Sequence, residues 1–397
     1  MMDPANHNEK FPVRLILPYL AFYAGQALFG SYRNLYFESI GFSKGEMGVI
    51  NSVGILVALL FQPIWAAVSD RTRNRPRILI LLFGACALFA MGFYISKIYW
   101  IILLVNAVFY IFFQSVPSLM DSYTLEFLEA RRSRFDFANI RLGGTLGYAV
   151  AVYLIGRLID TAYQKVFWLS SVFMVLAAFS MLGLRPVRQS SKEKTAEERG
   201  SVREIFRNRI IVTLLLIHLV HALGSGLYHG YYALHFKTFS DSAKVALLLG
   251  LTALSELPWW PVAGKIIQKL GVKKAMTLSL FLTAVRFVLL SYITSSWAAI
   301  LINLTTGFCF VINTSCTVMY IDREVPRNLR TTGQSVINMS TTIIASVIGG
   351  ALMGYLCVWF GIPAVMLGSG IVLGIVGMMI LLFVKELKTE RADLRKE

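Results

Sequence analysis

Charged residues are scarce in this chain. Asp, Glu, Lys and Arg make up 15% of its 397 residues, whereas 56% are hydrophobic, and a typical soluble domain is about 25% charged. The sequence also contains no GxxxxGK[ST], HExxH or GxSxG motif, so it shows no phosphate-binding loop, zinc-protease helix or hydrolase nucleophile. These absences argue against a soluble globular protein, and we expect that the protein is not an enzyme.

Cysteine is equally rare. All four cysteines, Cys86, Cys309, Cys316 and Cys357, lie inside apolar runs of the sequence. Isolated cysteines in such surroundings behave as small apolar residues. The sequence therefore predicts neither a disulfide framework nor a metal site.

What the chain has in abundance is long apolar runs, about twelve in number and occupying nearly the whole sequence. A helix needs about 20 apolar residues to cross the hydrocarbon core of a bilayer. Lipid cannot satisfy backbone polar groups, so each run is predicted to be a transmembrane helix. The predicted spans are residues 12–37, 46–69, 77–95, 98–124, 138–160, 164–184, 209–236, 242–268, 273–293, 296–320, 331–357 and 362–384.

The net charge of +16 is explained by membrane topology rather than by nucleic-acid binding. If the N-terminus lies inside, most of the 38 Lys and Arg residues fall in inner loops and tails. Cytoplasmic segments of membrane proteins carry such an excess. We therefore expect a multi-pass protein of the cytoplasmic membrane with both termini in the cytoplasm, and no nucleic-acid partner. The outer loops hold only Lys44, Lys97, Arg157, Lys165, Lys237 and Lys244.

One long polar segment divides the chain into two halves. We predict an N-terminal six-helix bundle at 1–185, a cytoplasmic linker at 186–208 and a C-terminal six-helix bundle at 209–397. The inner loop at 69–75 has a counterpart at 264–274, an offset of about 195 residues, and such repeats are typical of transporters with a central cavity.

The loop after the second span carries a motif. Asp70, Arg71 and Arg75 match the pattern G-x-x-x-D-R-x-G-R-R/K, and Ala66 and Arg73 replace its two glycines. The sequence thus resembles the major facilitator superfamily. This resemblance implies an all-α membrane protein with twelve transmembrane helices in two six-helix bundles. Because an acid at a helix end can pair with nearby arginines, Asp70, Arg71 and Arg75 are predicted to gate the inner side.

A second resemblance covers the end of the fourth span and the beginning of the fifth. The segment MDSYTLEFLEARRSRFDFANIRLGGTLGYAVA, residues 120–151, is similar to that of the lactose and phenylpropionate permease group of proton symporters. In that group an acid at the end of helix four and an arginine in helix five bind substrate, and an aromatic residue two turns later can stack on it. Carried over, these are Glu126, Arg141 and Tyr148, and Asp121 and Glu129 compete with Glu126 for the position of the acid.

Glycine spacing in the fifth span predicts a helix contact. Gly143 and Gly147 form a small-xxx-small pair, a pattern that lets two transmembrane helices approach closely.

Three ionisable residues lie deep in successive spans of the second half. Counted from the inner ends of their spans, His221 and Glu256 are about 18 Å deep and Arg286 about 20 Å deep. An ionised carboxylate at that depth is costly unless it is paired, protonated or hydrated. We predict that Glu256 exchanges protons and pairs with Arg286 or His221. The alternative is a fixed structural ion pair.

Neutral polar residues complete the predicted site. Tyr23 and Gln26 share one face of the first span, which lines either a helix contact or the cavity. Together with Asn338 of span eleven they are predicted to bind substrate. Span ten has Asn303 and Thr306 in the region where the lactose permease carries its coupling His and Glu, which argues against that protein's coupling scheme.

These observations predict a secondary active transporter. We expect proton-coupled symport of a small polar or aromatic solute, such as a sugar, nucleoside or aromatic acid, by alternating access. Proton-coupled efflux is the alternative, although residues 141–160 lack the proline of the Gly-Pro motif usual in antiporters. A membrane enzyme or sensor is a third possibility. The proton gradient would replace any cofactor, and the expected partners are the solute, protons and lipid around a monomer.

Overall fold

The computed structural model describes residues 13–131, 137–159, 162–187, 209–325, 337 and 347–383. All regular structure within these ranges is helical. In chain order the helices are α1 (Val13–Ser39), α2 (Lys44–Thr72), α3 (Arg75–Ile95), α4 (Tyr99–Phe113), α5 (Val116–Ala130), α6 (Phe137–Val150) with a π-helical turn (Ala151–Ile155), α7 (Gly156–Ile159), α8 (Lys165–Ser180), α9 (Arg209–Lys237), α10 (Ser242–Leu254), α11 (Ala263–Leu270), α12 (Val272–Tyr292), α13 (Ser296–Asn303), α14 (Thr305–Glu324), α15 (Gly349–Phe360) and α16 (Ile362–Phe383).

These helices have the length and composition of a membrane protein. The described residues contain nine helical segments long and apolar enough to cross a bilayer and three shorter apolar helices, α8, α10 and α15. Each of the twelve predicted spans therefore contains an apolar helix, and the predicted all-α membrane fold is confirmed. Large side chains such as Leu60 (64% exposed) and Leu104 (65% exposed) lie on the outside of these helices, as expected where they face lipid.

The chain divides into two compact units. The described residues of the first unit fall within 1–42 and 50–192, and those of the second within 43–49 and 193–397. The first turn of α2 belongs to the second unit, where the Tyr231 hydroxyl donates to the backbone oxygen of Lys44 at 3.1 Å.

An aromatic cluster forms the core of the first unit. The ring of Phe29 in α1 lies 4.3 Å from that of Phe109, 5.3 Å from that of Phe93 and 6.0 Å from that of Phe167, measured between centroids. Such ring contacts stabilise the fold beyond the contribution of the apolar area that they bury. They hold α1, α3, α4 and α8 together.

Two glycines let α6 pack against α1. A Cβ atom at Gly143 would lie 2.4 Å from Cγ2 of Ile16, and one at Gly147 would lie 2.3 Å from the backbone oxygen of Leu20. Neither position has room for a methyl group. The close helix packing predicted from this glycine pair is confirmed.

Helices of the second unit are interrupted where the sequence predicts continuous spans. The eighth span was predicted as one helix, but α10 ends at Leu254 and the chain runs in turns until α11 begins. Pro258 and Pro261 lie in these turns, and proline lacks the N–H that a helix needs and clashes with the preceding turn. The tenth span is also broken, at Leu304, where α13 and α14 meet.

The loop between α2 and α3 turns sharply at Arg73. Its φ angle of 51° lies in the left-handed region, which costs an L-residue roughly 1–2 kcal/mol. Asn74 then caps α3 by accepting a hydrogen bond from the backbone N–H of Arg77 at 3.3 Å. Arg73 occupies a position at which the superfamily motif has glycine, the residue that adopts this conformation without strain.

Replacing Arg73 by glycine should therefore stabilise the protein. We expect Arg73→Gly to raise the apparent melting temperature in detergent by about 1–3 °C. Arg71→Gly is the matched control, because it removes the same charge within the helical last turn of α2, where glycine destabilises. Equal decreases in melting temperature for both variants would contradict the strain argument.

Candidate functional site

The second unit buries a guanidinium group. Arg286 in α12 is 5% exposed. Its guanidinium carbon lies 5.1 Å from the ring centroid of Tyr228 and 5.2 Å from that of Phe287, and Nη1 donates a hydrogen bond to the Thr306 hydroxyl. Cation–π contacts of this kind contribute about 2 kcal/mol when desolvated. No carboxylate among the described side chains forms an ion pair with Arg286.

A hydrogen-bond network surrounds this group. The Asn303 side-chain amide donates to the Tyr228 hydroxyl and, at 3.1 Å, to the Thr252 hydroxyl. The Thr306 hydroxyl, which accepts from Arg286, donates to the backbone oxygen of Asn303 at 2.6 Å. Because Asn303 and Thr306 flank the break at Leu304, this interruption supplies polar groups from α13 and α14 to one place.

The break between α10 and α11 meets the start of α14. The backbone N–H of Gly307 donates to the Ser255 hydroxyl at 3.0 Å. A Cβ atom at Gly307 would lie 2.1 Å from the backbone oxygen of Ser255, so only glycine permits this approach. Interrupted transmembrane helices expose backbone groups that the protein must satisfy, and here the Ser255 hydroxyl of one interruption satisfies the Gly307 N–H beside the other.

Glu256 lies in this break, directly after Ser255. It is half-buried, and its carboxylate makes neither an ion pair nor a hydrogen bond to any side chain that the structure describes. Burying an ionised carboxylate without a partner is costly. The position therefore suits a group that binds and releases a proton.

The predicted pairing of Glu256 with Arg286 or His221 is not formed. The depth estimate assumed that residues 242–268 form one straight helix, whereas the chain turns away from helical geometry at Ser255. Arg286 instead uses the Thr306 hydroxyl. His221 lies within electrostatic range of Arg286 and forms no ion pair with Glu256 among the described side chains.

The other histidines of α9 differ in their contacts. His229 also lies within electrostatic range of Arg286. His218 shares a hydrogen bond of 2.7 Å with the Thr317 hydroxyl, and its second ring nitrogen lies 2.9 Å from the backbone oxygen of Leu214. His218 is thus held by the helices around it.

The first unit contains a separate charged cluster. Arg141 in α6 forms an ion pair with Asp121 in α5, and the Tyr19 hydroxyl donates to the same carboxylate at 2.8 Å. The rings of Tyr19 and Tyr23 are parallel, with centroids 6.3 Å apart, and Tyr23 packs against Gly144. Arg141 remains 46% exposed, so this ion pair is not fully enclosed by the helices around it.

Two further residues predicted to bind substrate lie on α1 and α6. The Tyr148 hydroxyl shares a hydrogen bond of 3.0 Å with Ser31. The side-chain oxygen of Gln26 is buried and accepts no hydrogen bond from the described residues. Asn338, predicted to bind substrate as well, lies outside the described residues.

The acid that sequence comparison favoured for Arg141 lies elsewhere. Glu126 pairs with Arg75, which also holds Asp70 at 3.0 Å. Asp121 and Glu126 are five residues apart on α5 and therefore point about 140° apart. Asp121 binds Arg141, and Glu126 binds Arg75 beside the loop between α2 and α3. Arg71, in the last turn of α2, is exposed.

Sequence reasoning missed the parts played by Tyr228 and Ser255. Both occur in apolar stretches of sequence without a distinguishing pattern, and each gains its partner only where a helix is interrupted. Pro258 and Pro261 were a usable signal for one interruption. Nothing comparable marks Leu304.

Comparisons with known proteins agree with this architecture. The maltose permease of Geobacillus stearothermophilus is 24% identical over 371 residues, which cover 92% of both chains. The solved nucleoside transporter NupG is similar with a TM-score of 0.85 at 15% identity, over 94% of this chain and 98% of that one. A D-xylose-proton symporter gives a TM-score of 0.71 at 12% identity, over 95% and 98% of the two chains.

At these identities the solved structures show the fold alone. The family match is more specific, because the family described as "MFS_1 like family" matches residues 13–367. That range includes both polar clusters and the broken eighth and tenth spans. The chain belongs to this family, and the protein is a multi-pass membrane transporter of the major facilitator type.

Proposed function

We propose that the protein takes up a small polar or aromatic solute together with protons, by alternating access. The observation that carries this proposal is Glu256, an acid without a partner among the described residues, at an interruption in the middle of a membrane span. The name of the D-xylose-proton symporter, which shares the fold, supports proton coupling. The names of the maltose permease and of NupG support a sugar or nucleoside as cargo.

Glu256 couples proton movement to solute movement in this mechanism. Low-dielectric surroundings favour a neutral carboxyl group, whereas contact with water favours its ionised form. Glu256 takes up a proton from the outer side, and the neutral site then accepts the solute. When access switches to the inner side, water reaches Glu256 and the proton leaves. The membrane potential contributes about 2.3 kcal/mol per charge and 100 mV.

The clusters of the first unit hold the cargo and control access in the proposed cycle. Tyr23, Gln26, Arg141 and Tyr148 contact the solute, as does Asn338 in the segment outside the described residues. Arg75 joins α2 to α5 through its two acids, and we propose that this ion-pair cluster opens and closes the inner side. The excess of basic residues in the predicted inner loops supports a cytoplasmic location for both termini, and we propose that the transporter works as a monomer.

Glu256→Gln should separate proton coupling from solute movement. Because glutamine cannot ionise but has a similar shape, the variant should still exchange internal for external solute at rates within about twofold. A one-unit pH gradient supports about tenfold accumulation for one proton per solute, and this accumulation should be lost. Proteoliposomes with internal pyranine, given maltose, uridine or 3-phenylpropionate, report both solute uptake and internal acidification.

Glu46→Gln is the matched control for this experiment. Glu46 lies in the first turn of α2 and accepts a hydrogen bond from the Ser43 backbone N–H at 2.8 Å, a role that glutamine also fills. It should accumulate solute like the wild type. Accumulation by Glu256→Gln at the wild-type level would refute the coupling role, and export driven by the gradient would favour efflux.

Asp121→Asn and Glu126→Gln should have different kinetic effects. Asp121→Asn removes the counter-ion of Arg141 from the accessible cluster, so we expect the apparent KM for uptake to rise about tenfold. Glu126→Gln loosens only the inner-loop contact to Arg75 and should alter the maximal rate without changing KM. Concentration-dependent uptake in proteoliposomes measures both constants. A KM effect confined to Glu126→Gln would reverse the assignment.

A further inference from the structure

The three arginines inside the predicted spans differ in their partners. Arg141 has the carboxylate of Asp121. Arg33, which is 7% exposed, has no carboxylate among the described residues and its Nε lacks a partner there, but it donates to the Asn106 side chain at 3.2 Å and to the Tyr110 hydroxyl at 3.0 Å. Arg286 has only the Thr306 hydroxyl among the described residues, although it is buried just as deeply.

Two buried donors beside Tyr228 lack an acceptor. Nε of Arg286 and the hydroxyl of Tyr232 each have no hydrogen-bond partner in the part of the chain that the structure describes. Tyr232 is 1% exposed. Its ring stacks on that of Tyr228 with centroids 5.2 Å apart, and the guanidinium of Arg286 lies 5.1 Å from the same ring.

Unfilled buried donors need an explanation, because most polar groups in native interiors are paired. An acceptor that carries negative charge would satisfy both donors and neutralise the guanidinium at once. A carboxylate fits this requirement, since arginine can bind its two oxygens side by side. The flanking rings of Tyr228 and Phe287 exclude water from the pair and strengthen it.

We propose that Arg286 and Tyr232 form the subsite for a carboxylate group of the cargo, so that the transported solute is an organic anion. This inference rests on the proposed transport function and narrows its substrate class. A neutral sugar or nucleoside would leave the guanidinium without a counter-ion. The rival arrangement is one in which Glu256 neutralises Arg286 in another state of the cycle.

The direct test compares carboxylates with their neutral counterparts. Purified wild-type protein in detergent, at constant chloride, is screened by thermal shift against matched pairs: 3-phenylpropionate and its amide, benzoate and benzamide, galacturonate and galactose, and glucuronate and glucose. Calorimetry then measures the affinity of each hit. We expect a carboxylate to bind at least ~30-fold more tightly than its neutral counterpart.

Variants identify the residues responsible. Arg286→Gln should weaken binding of the carboxylate hit at least ~30-fold, Arg286→Lys less, and Tyr232→Phe about fivefold. Arg33→Gln is the matched control, because it removes another buried guanidinium held against aromatic rings. Its affinity for the carboxylate hit should stay within about twofold of that of the wild type. The wild-type solute pairs test the proposal even if a variant fails to fold.

Several results would overturn this assignment. The assignment fails if the protein binds no carboxylate in the panel, or if it binds each carboxylate and its neutral counterpart with equal affinity. It also fails if acetate stabilises the protein as strongly as the larger acids do, or if folded Arg286→Gln binds the carboxylate hit as tightly as the wild type. The proposed function fails separately: a carboxylate that binds in detergent but is not accumulated by a pH gradient retains the subsite and refutes symport. Proton-driven accumulation of a neutral solute alone retains symport and refutes the subsite.

Discussion

The absence of hydrogen-bonding partners in lipid determines where this chain keeps its polar groups. A helix satisfies its own backbone, so any interruption or charged side chain inside a span must find partners within the protein. The structure meets this requirement by bringing interruptions together. The break after Leu254 meets the start of α14 through Ser255 and Gly307, and the break at Leu304 places Asn303 and Thr306 beside Arg286.

Charges inside the spans that lack partners therefore indicate function. Asp121 and Arg141 neutralise each other, and Arg75 is held by two acids. Glu256 and Arg286 are not compensated by described residues, although both lie in spans where such charges are costly. A fold shared by transporters of many solutes does not identify the cargo. The uncompensated acid and base of the second unit therefore carry the functional argument.

The fold could be predicted from the sequence because apolar run length is a direct consequence of bilayer thickness. The close contact at Gly143 and Gly147 followed in the same way from side-chain size. The site was only partly predictable. Glu256 and Arg286 were recognised as unusual charges, but their pairing was wrongly inferred from depth along straight helices. The choice between Asp121 and Glu126 depended on the rotation of α5, which spacing alone did not settle.

The central claim is that Glu256 gains and loses a proton while the protein remains folded in a membrane. Infrared difference spectroscopy of the reconstituted wild type during a pH titration measures this most directly, through the C=O stretch of a protonated carboxyl group. The account predicts a band that appears and disappears reversibly with pH and is absent from the difference spectrum of Glu256→Gln. The same titrating bands in both proteins would contradict it.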